Sequence, residues 1–528
     1  MYEKNTSLID SDINCKFEDL LCMTPDEFRS WVSKMRKLVI DIWDEQNVPP
    51  RQGKTEDEII DQFNKMISYP IHEFTHSDEL SDIPDDVIVN KSRLGAEADQ
   101  WFANMYKTRI NYTERDNGYS IYDLFALDRF EEKMFKGCMR HFRRDSMYLH
   151  ALTCFKNNVK PALVAVDDGI TFVNTFHDNQ SIIFNGYNFF LEQVAIKEGM
   201  NTGYNQVDQS NTLSLTKDQV LELQRNGRLE YRHHSTFDID NMPDDKVYNV
   251  RIYKEGNRVF PKGFAAFRIG YIQPAVNFPP MTAKYLYERF TDDIKDQDVI
   301  KIYDPSAGWG GRILGAMSVR DDRSIHYIGT DPNVDNFSPD STNRYSDIAE
   351  FYNTKTNRGN TFFCGPVNTY EIYCLGSEVI QHDLGFQKHK GDIDLIFTSP
   401  PYFNREAYSE NENQSYKKFG SSYESWRDGF LRPTLETAVT WLKPNRYLLW
   451  NIADVKVGEK YLPLEKDSID ILESMGVEYK YTLKMALEGM PGQNRLDENG
   501  KPKCKNYCKI NGTYVKYEPV LVFKKGCL

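Results

Sequence analysis

The feature that most constrains the fold is an alternation of strand-like and helix-like segments from about residue 256 to residue 528. Short apolar runs such as VIKIYDPSAG, IHYIGTDPN and GDIDLIFTSPPYF end in Gly, Pro or acidic residues, as buried strands followed by turns do. Longer segments between runs, such as YESWRDGFLRPTLETAVTWLKP, have apolar residues at helical spacing. Strands that are joined through helices lie parallel. The pattern therefore predicts an α/β domain with a mostly parallel sheet and helices on both faces.

The chain of 528 residues is longer than a single core of ordinary size supports. Helix-start signals and helical periodicity predict a mainly helical region over residues 1–160. Residues 161–255 contain β-branched and aromatic runs cut by Asp-Gly and Asn-Gly, which indicates a mixed α/β region. With residues 256–528 as the α/β domain, we expect three regions.

Composition places the chain among soluble globular proteins, since 40% of its residues are hydrophobic and 27% are charged. Apolar stretches of membrane-spanning length and a secretory start are both missing from the sequence, so we expect a cytoplasmic protein without a membrane partner. Nine cysteines are then expected to be free thiols. We predict no metal site, because Cys504 and Cys508 lack a second ligand pair and His233-His234 lack partners at useful spacing.

The net charge of −13 disfavours a generic polyanion binder, because phosphate contacts need clustered Lys and Arg. It does not exclude nucleic acid, since a binding cleft needs only a local basic lining. The densest basic run of the first half could meet phosphates, although a solvated helix face is the favoured interpretation. That run contains Lys133, Lys136, Arg140, Arg143 and Arg144.

The first predicted site is the glycine-rich turn DPSAGWGG, which follows an apolar strand and opens a helix. Glycines let the backbone turn tightly and approach a ligand. The turn lacks the G-x-G-x-x-G spacing of a dinucleotide site, and its leading Asp304 suits a cationic amine such as the methionine end of S-adenosylmethionine. Asp331, at the tip of the next strand, suits ribose hydroxyls. The cofactor-binding candidates here are Asp304, Ser306, Ala307, Gly308, Trp309, Gly310 and Asp331.

The second predicted site is the run Ser399-Pro400-Pro401-Tyr402, at the end of strand GDIDLIF. It resembles the catalytic motif of the amino-methyltransferases of DNA, in which Asp, Asn or Ser precedes Pro-Pro and an aromatic residue. The Ser399 hydroxyl and the Pro400 carbonyl could accept the two N–H bonds of an exocyclic amine and direct its lone pair toward a methyl group. Tyr402 offers a face on which a flipped base can stack. The predicted catalytic residues are therefore Ser399, Pro400, Pro401 and Tyr402.

The resemblance covers roughly residues 270–525 and implies a Rossmann-like class I methyltransferase domain with S-adenosyl-L-methionine as cofactor. It implies that the segment at Asn277 packs around the methionine moiety and that Asp383 contacts the adenine amino group. Because little sequence follows the last predicted strand, we assign the target-reading role to an insertion or, in preference, to the amino-terminal half, with possible target recognition in residues 161–255. The polar loop 404–416 is interpreted as a lid over the flipped base, with a plain surface loop as the alternative.

The resemblance implies methyl transfer to an exocyclic amine of a DNA base, as in restriction–modification. Serine at position 399 favours cytosine N4, with adenine N6 as the near alternative and a base amine of RNA as a further one. Protein glutamine methylation is disfavoured, because Asn normally opens that motif. A binding module without turnover is disfavoured by the intact motifs. The recognised sequence and the oligomeric state stay open.

Overall fold

The structure is a computed structural model. It describes residues 25–46, 56–90, 92–96, 119–131, 276–319, 323–337, 343–358, 367–403, 412–420, 422–487, 501–502 and 504–527, and the backbone of five strands between residues 180 and 251. The predicted basic run 133–144 and residues 404–411 of the predicted lid lie outside the described residues. No helix in these ranges is long and apolar enough to cross a membrane.

The helices and strands are numbered in chain order. The α-helices are α1 (Pro25–Gln46), α2 (Glu56–Ile67), α3 (Ile121–Ala126), α4 (Pro280–Thr291), α5 (Gly311–Met317), α6 (Arg344–Arg358), α7 (Leu384–Gln387), α8 (Ser415–Lys418), α9 (Tyr423–Trp426), α10 (Arg432–Trp441) and α11 (Leu464–Ser474). A π-helical turn, Arg427–Leu431, joins α9 to α10. The strands are β1 (Thr75–His76), β2 (Val87–Ile88), β3 (Gln180–Phe184), β4 (Tyr187–Phe190), β5 (Thr212–Thr216), β6 (Glu230–His233), β7 (Val247–Arg251), β8 (Val299–Asp304), β9 (Ser324–Thr330), β10 (Thr369–Tyr373), β11 (Ile393–Thr398), β12 (Leu442–Asn451), β13 (Val455–Val457), β14 (Lys460–Leu462), β15 (Val477–Ala486), β16 (Tyr507–Ile510) and β17 (Thr513–Lys525).

The main sheet has the order β10-β9-β8-β11-β12-β17-β15-β2-β1, with β16 paired to β17. Strands β10 to β12 along this order are parallel, and β17 is antiparallel to both of its neighbours. The central strand β11 is buried along its whole length, as expected for a strand covered on both faces. One apolar core contains residues of α2, α4, α5 and α6, and a second contains residues of α10 and α11. The predicted Rossmann-like α/β fold is confirmed.

The chain order reverses between β8 and β11, because β8 leads to β9 and β10 on one side while β11 leads to β12 on the other. In open α/β sheets, ligands bind beyond the carboxyl ends of the strands at such a switch point. The fold therefore predicts a ligand site at the residues that follow Asp304 and Thr398.

Residues 56–90 belong to the same core, which differs from the predicted division at residue 256. The ring of Phe63 in α2 stacks on Tyr352 in α6 at a centroid distance of 4.3 Å. The β1–β2 hairpin extends the sheet because β2 pairs in parallel with β15. Lys484 of β15 donates to the buried carboxylates of Asp78 and Asp86 at 2.7 and 2.6 Å. These contacts complete the edge of the sheet with chain from the first region.

Candidate functional site

A cleft lies at the carboxyl ends of four neighbouring parallel strands, the position at which ligands bind in open α/β sheets. Its floor is formed by the segments that follow β8, β9, β10 and β11, and its outer wall by residues 413–415 and Phe430. The lining residues from the strand ends are Pro305, Ser306, Gly308, Trp309, Asp331, Pro332, Asn333, Asn336, Gly376, Ser377, Glu378, Ser399 and Pro401. The two predicted sites thus meet in one cleft at the switch point.

The glycine-rich turn has a backbone that only glycine adopts without strain. Gly308 and Gly310 have φ angles of 61° and 90°, in the left-handed region. A Cβ on Gly310 would lie 2.5 Å from Ile348 Cδ1, so α6 packs directly against the turn. The predicted tight turn before α5 is present, and it brings Gly308 to the cleft while Gly310 packs behind it.

Hydrogen bonds from distant segments hold this turn. Asn277 Oδ1 accepts from the Gly311 N–H at 2.9 Å, and its Nδ2 donates to the Trp309 carbonyl at 3.2 Å. The Gly308 carbonyl accepts from Tyr345 Oη at 2.7 Å. Asn277 is not among the residues that line the cleft, so the structure makes it a residue that positions the turn. Its predicted direct contact with the methionine moiety is not favoured by this placement.

Asp331 lines the cleft, where only 8% of its surface is exposed. Its two carboxylate oxygens accept from the N–H groups of Gly308 at 2.8 Å and Asn333 at 2.9 Å. Burial raises the pKa of Asp331 to about 6, although these backbone hydrogen bonds oppose the shift. An ionised carboxylate has about four acceptor positions, so capacity remains for hydroxyl groups of a ligand. This arrangement supports the predicted role of Asp331 at a ribose.

Asp304 has a different role from the predicted one. It is fully buried and accepts from Arg312 Nε at 2.7 Å, from Tyr327 Oη at 2.6 Å and from Thr398 Oγ1 at 2.7 Å. Both oxygens are thus engaged by protein donors, and Asp304 does not line the cleft. Because a buried cation already neutralises the carboxylate, its assignment to a cofactor amine is replaced by a structural one.

Asp383 is likewise placed away from the cleft. Its Oδ1 accepts from the Phe386 N–H at 3.0 Å and caps the amino end of α7. The acid that the fold brings to the cleft after β10 is Glu378, which is buried and accepts from Lys418 Nζ at 2.7 Å. Glu378 lies five residues before Asp383 in the sequence.

The catalytic candidates follow β11 at the floor of the cleft. Ser399 and Pro401 line it, and Pro400 is buried beneath them. Thr398 Oγ1 also accepts from the Ser306 N–H at 3.1 Å, which ties the catalytic segment to the glycine-rich turn. Tyr402 Oη donates to the Asn451 carbonyl at 3.1 Å, so the ring is oriented by the end of β12.

Six predicted residues line the cleft and seven do not. Those that line it are Ser306, Gly308, Trp309, Asp331, Ser399 and Pro401. Those that pack behind or beside it are Asn277, Asp304, Ala307, Gly310, Asp383, Pro400 and Tyr402. The buried Ala307 donates its N–H to the Thr330 carbonyl at 2.8 Å, joining the turn to β9.

Sequence reasoning missed the Gly376-Ser377-Glu378 segment, which lines the cleft. The signal for it was the strand TYEIY with a Gly and an acid shortly after it, the same pattern that marks Asp331. The outer wall at residues 413–415 belongs to the loop 404–416, for which the sequence predicts a lid.

No family model matches the sequence, and no curated protein shows significant similarity to it. Solved structures of related fold include the carbon methyltransferase CurJ, 14% identical over 51% of this chain and 60% of that protein, with a TM-score of 0.27. A SAM-dependent methyltransferase from Methanosarcina mazei is 11% identical over 46% of this chain and 98% of that protein, with a TM-score of 0.24. A candidate DNA modification methylase from Thermus thermophilus, complexed with S-adenosyl-L-methionine, is 18% identical over 26% of this chain and 50% of that protein, with a TM-score of 0.17.

The chain spans 60% of the length of the first of these proteins. Likenesses this distant assign no activity, substrate or cofactor to the chain.

Proposed function

We propose that the cleft binds S-adenosyl-L-methionine and that the chain is a methyltransferase. The residues present fit this cofactor: Asp331 has acceptor capacity for ribose hydroxyls, and Gly308 lets the backbone approach the ligand without a Cβ. The buried Glu378 and Trp309 add a polar and an apolar wall. When bound, this cofactor supplies an electrophilic methyl group on a sulfonium ion.

The acceptor that suits Ser399 is an exocyclic amine of a nucleic-acid base. Such an amine is a weak nucleophile, because its lone pair is delocalised into the ring. The Ser399 hydroxyl can accept one N–H bond and the Pro400 carbonyl the other, which favours a tetrahedral nitrogen. Among the described residues, no hydrogen bond engages the Ser399 hydroxyl, so the group is available to a substrate. Catalysis would then rest on positioning, without a covalent enzyme intermediate.

One observation carries this proposal: Ser399 lines the same cleft as Gly308 and Asp331. If the cofactor site and the amine-binding residues Ser399 and Pro400 lay on separate surfaces, they could not cooperate in the transfer of one methyl group. Their meeting at the switch point between β8 and β11 gives the cofactor and the amine a common approach.

Within this class, we propose DNA as the substrate and cytosine N4 as the target, on the basis of serine at position 399. Adenine N6 of DNA and a base amine of RNA are the alternatives. Tyr402, which lies beside the cleft and donates its hydroxyl to the Asn451 carbonyl, is the aromatic residue that we propose to stack on a flipped base.

The test is incubation of the full chain with methyl-labelled S-adenosylmethionine and DNA, RNA or protein, followed by nucleoside analysis. We expect label in N4-methylcytosine of DNA. Label in N6-methyladenine or in RNA would select an alternative, and label in neither nucleic acid would contradict a base amine as substrate. Calorimetric titration with S-adenosylmethionine tests the cofactor separately, and the absence of binding would reject the methyltransferase assignment.

A further inference from the structure

A cluster of metal-ligating side chains lies on the β9–β10 edge of the sheet, outside the cleft. It contains His326 of β9, Glu371 of β10 and His389, which follows α7. His326 Nε2 lies 3.3 Å from Glu371 Oε1, and His389 Nε2 lies 3.1 Å from Glu371 Oε2. The three ligand atoms lie within 4.8 Å of one another.

We infer that these three residues form a binding site for a divalent transition-metal ion of the zinc type. Two imidazole nitrogens and a carboxylate oxygen are a donor set that zinc uses with a fourth, exchangeable ligand. Ligand bonds of about 2.0–2.1 Å at tetrahedral angles place neighbouring ligand atoms roughly 3.3 Å apart. The two nitrogen–oxygen separations are close to this value, but they involve different oxygens of the Glu371 carboxylate, so Glu371 must rotate for a single oxygen to bind the ion beside both imidazoles.

The surrounding groups orient two of the three ligands, His326 and Glu371, as the outer shell of a metal site does, whereas the buried His389 Nδ1 has no hydrogen-bond partner among the described residues. His326 Nδ1 lies 2.8 Å from Thr369 Oγ1, so a proton on Nδ1 would leave the Nε2 lone pair facing the cluster. Tyr373 Oη donates to Glu371 Oε2 at 2.8 Å and fixes the carboxylate.

Lys388 is the group that competes with a metal ion. Its Nζ lies 2.7 Å from Glu371 Oε1, so the ammonium group pairs with the carboxylate that would bind the ion. The Lys388 side chain is 56% exposed and can move into solvent, whereas His389 is 4% exposed and held in place. An ion therefore displaces an ammonium group from the cluster without unpacking the core.

The site is separate from the cleft. His326 lies in the first half of β9, whereas Asp331 follows the end of that strand, five residues later. Five residues of strand span roughly 16 Å. Because the ligands come from β9, the edge strand β10 and the segment after α7, a bound ion ties these three elements together. The expected effect of the ion is stabilisation of this edge of the sheet.

The test uses the full chain, freed of metal with a chelator and dialysed against zinc ions. We expect one bound ion that His389→Ala and Glu371→Gln abolish and that the exposed neighbour His382→Ala retains. Cobalt ions should give the absorption of a tetrahedral site in the wild type and in His382→Ala only. Zinc should also raise the melting temperature of the wild type by several degrees.

The effect of Lys388→Ala on zinc affinity distinguishes a metal site from a simple ion-pair network. If the cluster is a metal site, removal of the competing ammonium should tighten zinc binding several-fold. If the cluster is only an ion-pair network, Lys388→Ala should leave the chain without bound zinc and no more stable in its presence. Zinc binding that is absent, or that is unchanged by His389→Ala and Glu371→Gln in folded protein, would overturn the inference.

Discussion

Replacement of Asp304 by asparagine separates the predicted ligand role of this residue from the structural role that its contacts indicate. The Asp304 carboxylate is fully buried and pairs with Arg312, of which about 4% is exposed. Burial alone would lower the pKa of Arg312, but the neighbouring Asp304 raises it, so the guanidinium stays charged. The asparagine would leave a buried cation without its counter-charge.

Breaking one partner of a buried ion pair costs about 3–5 kcal/mol. For a domain of this size, each kcal/mol lowers the melting temperature by about 2–4 °C. We therefore expect Asp304→Asn to lower the melting temperature by roughly 6–20 °C. Differential scanning calorimetry measures this, and titration of folded protein with S-adenosylmethionine measures the cofactor affinity at a temperature well below the transition.

The double variant Asp304→Asn with Arg312→Met is the control, since it removes both charges. We expect it to be less destabilised than the sum of the two single variants, because neither charge is left uncompensated. A melting temperature that Asp304→Asn leaves unchanged, accompanied by a large loss of cofactor affinity, would refute this reasoning. That result would restore the direct contact with the cofactor amine.

Four further predictions concern the cleft and the turn beside it. Ser399→Ala should lower kcat by roughly a hundredfold with little change in cofactor affinity, as expected for loss of a hydrogen bond made in the transition state. Single-turnover kinetics measure this rate. Full activity of the variant would show that Ser399 is not a catalytic residue. Asp331→Ala should weaken cofactor binding roughly ten- to hundredfold, from the loss of a charged hydrogen-bond acceptor. In the wild type, titrations across pH should show affinity falling below about pH 6, where the raised pKa of Asp331 leaves the carboxyl protonated. Because the pKa of Asp331 is raised in the folded state, its protonation stabilises the fold below the ordinary pKa of an aspartate, and this stabilisation is lost as the pH rises through about 6. The stability of the unliganded protein should therefore fall over the pH range in which the cofactor affinity rises. Gly310→Ala should destabilise the turn by more than the roughly 1–2 kcal/mol of left-handed strain, because the added Cβ would clash with Ile348. The control is Gly476→Ala, which introduces the same backbone strain at a position with open space around it. Equal melting temperatures for the two variants would contradict the packing of α6 on the turn.

The parallel centre of the sheet could be predicted because its strands are buried on both faces and leave continuous apolar runs in the sequence. The edge could not, because β1 and β2 are two residues long and carry no periodicity. Their place beside β15 depends on Lys484 meeting Asp78 and Asp86, which lie about 400 positions away along the chain.

The meeting of Asp331 and Ser399 in one cleft could be anticipated, because both follow strands that end at the same edge of a parallel sheet. The individual roles of the acids could not. The Asp304 carboxylate is neutralised by Arg312, eight positions later, and accepts a hydrogen bond from Thr398 of another strand, and neither contact has a local signature. Asp383 resembled a cofactor ligand in sequence, but its carboxylate is used to start a short helix.

The β1–β2 hairpin has a consequence for any attempt to isolate the carboxyl-terminal half. A fragment that starts near residue 256 would leave Lys484 and Met485 of β15 without their partner strand and the Lys484 ammonium without its two carboxylates. Unpaired strand edges recruit other chains, so such a fragment should aggregate more readily than the intact protein. The α/β domain is therefore complete only when residues 56–90 have packed against it. Because this step joins residues far apart in the sequence, we expect it to occur late in folding.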